Sequence, residues 1–322
     1  MSQDEKRKEL RPVKVWGGMT VRDLVAELRN SSFGARRVAE ACDLVASWKE
    51  RPGCRVILTV SGAMSVAQQG SVIAALIQQG VVHCVVTTGA VVTHSLTQES
   101  GRSRSAVREG DDDEALARQG LNRIFDTLES DEGFQELDVL VSELSMIKDT
   151  LLGPVSSAKL IKELGMSRRL SVKGMVGIAA ASSVPLFVPA LSDSELGLRI
   201  AAICDHTSCW TYDPFADLRE YRAWLSAGQE YAILTLGGGV PRNWAQQIFA
   251  EFDGSQLSKN PRLISGVRIC PDSAELGHLS GSSFSEARSW RKIRCYRPDD
   301  FVEVAADATL VFPLLAVAML PA

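Results

Sequence analysis

The chain has no surplus of basic residues. Its 35 Lys and Arg stand against 39 Asp and Glu, for a net charge of -4 in 322 residues. That leaves no positive excess to neutralise phosphates and excludes a general nucleic-acid binder. It lacks an apolar segment near its start, where Met1 to Pro12 is charged, so no secretory signal is expected. It lacks a run that spans a bilayer: the longest, Ala308 to Leu320, is short and contains Pro313. Histidine is scarce, at 4, and the 7 cysteines are irregularly spaced with no C-x-x-C. A disulfide framework is thereby disfavoured. Cys204-Asp205-His206-Thr207-Ser208-Cys209 stays open between buried thiols and a zinc site that needs two further donors. The expectation is a cytoplasmic chain with no membrane or nucleic-acid partner and no metal.

What is present is a large apolar fraction, 45%, arranged in short runs. Arg55 to Val60 and Val81 to Thr87 read as strands buried on both faces of a parallel sheet. Between them Ser65 to Gln79 has helical spacing and stops at Gly80, a βαβ unit. Pro185–Val188, Tyr231–Leu236, Leu263–Ile269 and Val302–Ala305 are further strands. Glu195 to Cys204, the stretch through Trp244 to Phe252, and Ala308 to Met319 read as helices. The alternation predicts an α/β fold with a doubly wound, mostly parallel Rossmann-like sheet and helices on both faces. Residues 1–15 are expected to be a disordered or loosely attached tail, and 16–322 a single domain. The polar segment Glu99 to Glu114 is expected to be a solvated loop or helix lead-in on the rim.

In such a sheet the ligand sits at the carboxyl ends of the strands. The turns there are Ser61-Gly62-Ala63-Met64-Ser65, Thr87-Thr88-Gly89-Ala90, Ser192-Asp193, Gly237-Gly238-Gly239 and Asp307-Ala308. Small residues let backbone N–H groups approach a phosphate, and a helix N-terminus adds its positive end. Each turn has a plainer reading: the triple glycine as a tight strand–helix turn, Asp193 or Asp307 as a helix N-cap. No G-x-G-x-x-G is present.

Near the end stands Glu286-Ala287-Arg288-Ser289-Trp290-Arg291-Lys292. A lysine amine becomes nucleophilic when desolvation or a neighbouring cation lowers its pKa. Trp290 offers an apolar wall and a face for a cation, Arg291 a neighbouring charge, and Glu286 an anchor for an amine. The alternative is an interfacial tryptophan beside a snorkelling lysine.

From about Thr20 to Phe312 the chain resembles deoxyhypusine synthase. The matching segments, in order, are Val85-Val86-Thr87-Thr88, Pro189-Ala190-Leu191-Ser192-Asp193 and Leu236-Gly237-Gly238-Gly239-Val240. Glu286-Ala287, Ser289-Trp290, Lys292-Ile293, Ala306-Asp307-Ala308 and Leu310 to Leu315 follow. The resemblance implies an enzyme that uses NAD to oxidise spermidine to an imine. The aminobutyl group then passes to an active-site lysine and on to the ε-amine of a lysine on a translation factor, where the final imine is reduced. It assigns Lys292 to the intermediate, Trp290, Glu286, Asn243 and Ser280 to the amine substrate, and Ser61, Gly62, Ser65, Thr88, Gly89, Asp193, Gly237, Gly238, Gly239, Asp307 and Ala308 to NAD. It also implies a homotetramer with sites at a dimer interface.

The sequence departs from the eukaryotic pattern at several of these positions. Asn243 stands where they have a histidine, Leu198 and Leu279 where they have polyamine-binding acids, Gly62 where they have asparagine, and His94 where they have glutamate. Two fewer carboxylates leave a polycation with fewer partners. The chain is thus similar to the bacterial deoxyhypusine synthase-like branch. The function expected from the sequence is homospermidine synthase-like: NAD-dependent transfer of an aminoalkyl group from a polyamine, or a related amine such as agmatine, through a Lys292 imine to a small amine. Deoxyhypusine synthesis on a protein lysine is the alternative, and a non-catalytic NAD-binding protein a third.

Overall fold

Six apolar runs pair as the strands of one sheet in the computed structural model, which describes residues 9–146, 151, 153–171, 174–204, 210–225, 229–252, 260–293 and 297–321. They are β1 (Arg55–Val60), β2 (Cys84–Thr87), β3 (Leu186–Phe187), β4 (Glu230–Leu236), β5 (Arg262–Ile269) and β6 (Phe301–Val304). Their order is β6-β5-β4-β1-β2-β3, with every neighbouring pair parallel. The chain therefore builds outward from β1 in one direction and from β4 in the other. The reversal between β1 and β4 is the switch point of a doubly wound fold, where a crevice opens at the carboxyl ends. The registers keep those ends level: Val60 pairs with Thr87 and with Leu236, Leu236 with Ile269, and Ile269 with Val304. The turns after these strands consequently share one edge.

Side-chain alternation along β1 sends Val56, Leu58 and Val60 to one core and Ile57 to the other. The first core is covered by helices that include Phe33–Trp48, Gly70–Gln78, Gly89–Glu99 and Ala308–Met319, the second by Pro214–Trp224, Gly239–Glu251 and Phe284–Ser289. Burial on both faces explains why β1, β2 and β4 are continuously apolar, with Thr59 and Thr235 satisfying each other at 2.9 Å.

Three expectations change. The helix after β1 begins at Gly70, because Met64–Gln69 is taken up by turns in which Gln68 adopts φ +61°. Strand β2 begins at Cys84: Val56 donates its N–H to His83 Nδ1 and accepts the His83 N–H, which ends the ladder there. The polar stretch 99–114 does lead into a helix at its acidic end, but it is not a plain solvated loop before that. Glu99 ends a helix, Asp113–Arg118 is a short helix, and Ser105–Ala106, Leu121–Ile124 and Thr127–Ser130 form a small antiparallel sheet. Arg104 is drawn inside it onto buried Glu129 at 3.0 Å, which also accepts from Thr97 and meets His94 Nδ1. Of the tail, residues 1–8 lie outside the described residues, and the Arg11 N–H donates to the Asn30 carbonyl at 2.9 Å. The segment 205–209, with His206 and Cys209, also lies outside them. Among the described residues no helix is long and apolar enough to cross a membrane.

Candidate active site

The nucleophile candidate is placed by a helix ending. Helix Phe284–Ser289 is capped by the Ser283 hydroxyl, which accepts the Glu286 N–H. At its other end the Arg291 N–H reaches the Arg288 carbonyl and the Lys292 N–H the Ala287 carbonyl, a Schellman pattern with Arg291 in the left-handed region at φ +59°. That reversal carries Lys292 back toward helix Gly239–Glu251, where its Nζ donates to Asn243 Oδ1 at 2.7 Å. Nζ also stands 5.7 Å from the Trp290 ring centroid, a ring face that suits a cationic substrate as well. These groups and Glu286 line a pocket of about 410 Å³.

Burial lowers the Lys292 pKa, the Arg242 charge lowers it further, and Glu286 opposes both. The cation that acts on Lys292 is thus Arg242, whereas the adjacent Arg291 is exposed. Arg242 was not singled out from the sequence. The available signal was its place in Pro241-Arg242-Asn243, directly after the triple glycine. Leu279 lines the same pocket, whereas Leu198 is exposed on helix Glu195–Cys204 and does not. Ser280 is also outside the pocket: its hydroxyl donates to Asp272 and its backbone packs on Gly238.

The proposed cofactor residues gather on the level edge of the sheet. At the β1/β4 switch point the Ser61 N–H donates to the Leu236 carbonyl at 3.0 Å, and Gly238 N–H to Ser61 Oγ at 2.9 Å. Gly237 takes φ +79°, and a Cβ on Gly238 would lie 2.6 Å from Ser280 Cα, so the turn must be bare. Ser65 is buried with a hydroxyl that has no partner among the described residues. Thr88 caps helix Gly89–Glu99 by accepting the Val91 N–H, and Gly89 abuts Ser194. Asp193 is exposed beyond β3. Three of these side chains are already engaged within the fold: Thr88 in that cap, Ser61, whose Oγ donates to Leu236 O at 3.2 Å, and Asp307, which caps helix Ala308–Met319 through the Thr309 N–H at 2.7 Å. For Asp307 the N-cap reading holds.

The family model described as deoxyhypusine synthase matches residues 23–319. The chain belongs to the deoxyhypusine synthase family. It is 30% identical over 299 residues to the protein described as probable deoxyhypusine synthase 1 of Archaeoglobus fulgidus, covering 92% of this chain and 93% of that one. It is 29% identical over 309 residues to probable deoxyhypusine synthase 2 of Methanosarcina acetivorans, covering 93% and 86%. The crystal structure of a candidate deoxyhypusine synthase from Entamoeba histolytica matches with a TM-score of 0.62 at 18% identity, over 94% of this chain and 93% of that one. That structural likeness concerns the fold. Family membership makes this chain an aminobutyl-type transferase and favours the protein-lysine alternative over the homospermidine synthase-like expectation.

Proposed function

We propose that the chain carries out NAD-dependent aminobutyl transfer of the deoxyhypusine synthase type, from spermidine through a Lys292 imine to the ε-amine of a protein lysine. The observation that carries this reading is Lys292 Nζ held by Asn243 at 2.7 Å, with Trp290 alongside, in a pocket on a fold of this family. Trp290 and Glu286 suit a cationic chain, one by its ring face and the other by its charge. The unpartnered Ser65 hydroxyl and the bare Gly237–Gly239 turn at the switch point fit a dinucleotide, which Thr88, Gly89 and Asp193 would help to hold. When bound, NAD supplies hydride abstraction from the donor and hydride return to the final imine. In between, the Lys292 nitrogen attacks the imine carbon of the oxidised donor. The carbon–nitrogen bond to the leaving diamine breaks, and that diamine gains the two hydrogens that Lys292 gives up.

A small amine acceptor is a second reading, favoured by Leu279 in the pocket wall, which offers no charge to a second ammonium. Incubation with NAD and spermidine followed by borohydride reduction is expected to leave an aminobutyl adduct on Lys292, read by mass spectrometry. Chasing unreduced enzyme with a lysine-bearing translation factor or with putrescine identifies the acceptor. No adduct and no NADH absorbance with any di- or polyamine would overturn the proposal. Functional assembly as a homo-oligomer belongs to the same proposal and is checked by light scattering.

A further inference from the structure

The environment of Arg242 is unusual for a guanidinium. The residue is 2% exposed, lies 4.9 Å over the Phe284 ring, and gives Nη1 to the Ser282 carbonyl and hydroxyl. Its Nε and Nη2 have no hydrogen-bond partner among the described residues. Buried arginines ordinarily sit against a carboxylate, because an uncompensated interior charge is costly. Glu303, which faces it, is already committed to Arg268 at 3.2 Å and to the Phe284 N–H at 2.6 Å. Arg268 and Cys270 also face Arg242, and Glu286 faces both Arg242 and Lys292. Arg242 therefore places a guanidinium that has no ion-pair contact among the described residues in the wall of the pocket that holds Lys292. Its residence on helix Gly239–Glu251 directly before Asn243, the acceptor for Lys292 Nζ, makes the two adjacent by covalent connection.

We infer that Arg242 is a positioning residue that favours the neutral, nucleophilic form of the Lys292 amine by holding a guanidinium with no carboxylate partner among the described residues in the wall of the same pocket. The inference rests on the reading of Lys292 as nucleophile. An ammonium has no lone pair with which to attack an imine carbon, and a nearby cation disfavours that charged form. Burial and Arg268 bring Arg242 itself down to about 10, which leaves it charged at neutral pH. Fixing Lys292 through Asn243 and favouring its neutral form through Arg242 from one helix ties orientation and reactivity together.

The test needs neither NAD nor substrate. Competitive acetylation of the whole protein with acetic anhydride between pH 6 and 11, with the Lys292 peptide quantified by mass spectrometry, reads the midpoint of that amine. The expected wild-type midpoint lies below the ordinary lysine value of about 10.4. Arg242→Met should raise it by about one pH unit, and Arg242→Lys should restore it. An Arg242→Met midpoint equal to wild type, or an Arg242→Lys midpoint as high as that of Arg242→Met, overturns the inference. So does a wild-type midpoint at the ordinary value, whether or not Arg242→Met folds. A low midpoint without any borohydride-trapped adduct would remove the proposed reaction and leave this inference standing.

Discussion

Lys292 owes its position to an arginine in a conformation that favours glycine. Arg291 at φ +59° costs about 1–2 kcal/mol against an ordinary backbone, and the two Schellman hydrogen bonds offset it. From that anchor a single acceptor, Asn243 Oδ1, orients Nζ. Asn243→Ala should slow adduct formation by about 100-fold while leaving the urea midpoint nearly unchanged, because Asn243 is half-buried at the pocket rim. Lys292→Ala should abolish the adduct and cut turnover on the order of 10³-fold or more. At the switch point the constraint is steric. Gly238→Ala drives a methyl against the Ser280 backbone, so a loss of about 1–3 kcal/mol in denaturant unfolding is expected, together with weaker NAD binding by fluorescence titration.

Helix Gly239–Glu251 sets where Arg242 and Asn243 point, and an aromatic cluster sets the helix. Trp244 packs in tilted contact with Tyr221 and Phe187 at 4.8 and 5.4 Å between centroids, and the Tyr221 hydroxyl donates to the Ala245 carbonyl at 3.0 Å. Trp244→Ala should cost about 3–5 kcal/mol, measured by urea denaturation, and should loosen the grip on Lys292 without touching the pocket lining. The last helix offers a cleaner separation of roles. Asp307→Ala should lower stability by about 1 kcal/mol through loss of the cap, and Asp307→Asn should retain most of it. Equal stability in all three proteins would return Asp307 to a purely ligand-facing role.

At the scale of the whole molecule, three buried carboxyls among the described residues shape the response to pH, two of them with raised pKa values. Burial pushes Glu99 up to about 7 even though it accepts the Val176 and Gly177 N–H groups at 2.9 Å. Burial likewise pushes Asp217 to about 7, where it accepts from Ser157 and Ala158. Both hold a proton in the fold that the unfolded chain releases near pH 4, so their contribution is complete below that point and is lost as pH rises toward 7. Glu129 acts oppositely: His94, Thr97 and Arg104 hold it below the usual range against its own burial, and its contribution is lost as pH falls through the acid range. Comparing urea unfolding at pH 5 and 7.5, Glu99→Gln should gain stability relative to wild type at the higher pH, by at most about 3 kcal/mol. A constant difference across that window would show that Glu99 is ionised throughout.

Strands, the parallel sheet and the turns that end it were legible in the residues, because burial on both faces demands continuous apolar runs and close backbone approach demands glycine. Lys292, Trp290 and Glu286 stand out by their residue chemistry, but only the family pattern chooses that reading over a surface tryptophan–lysine pair, and Asn243, 49 positions from Lys292, enters only through that pattern. Their meeting depends on a helix reversal and a helix register. The residues that spacing cannot reveal are those whose role is decided by burial: Arg242, with no carboxylate partner among the described residues in the pocket wall that holds Lys292, and Arg104 drawn in from a polar run onto Glu129. An arginine in sequence is a charge in water. Only the tertiary structure decides which arginine loses that water and what then stands within reach of its field.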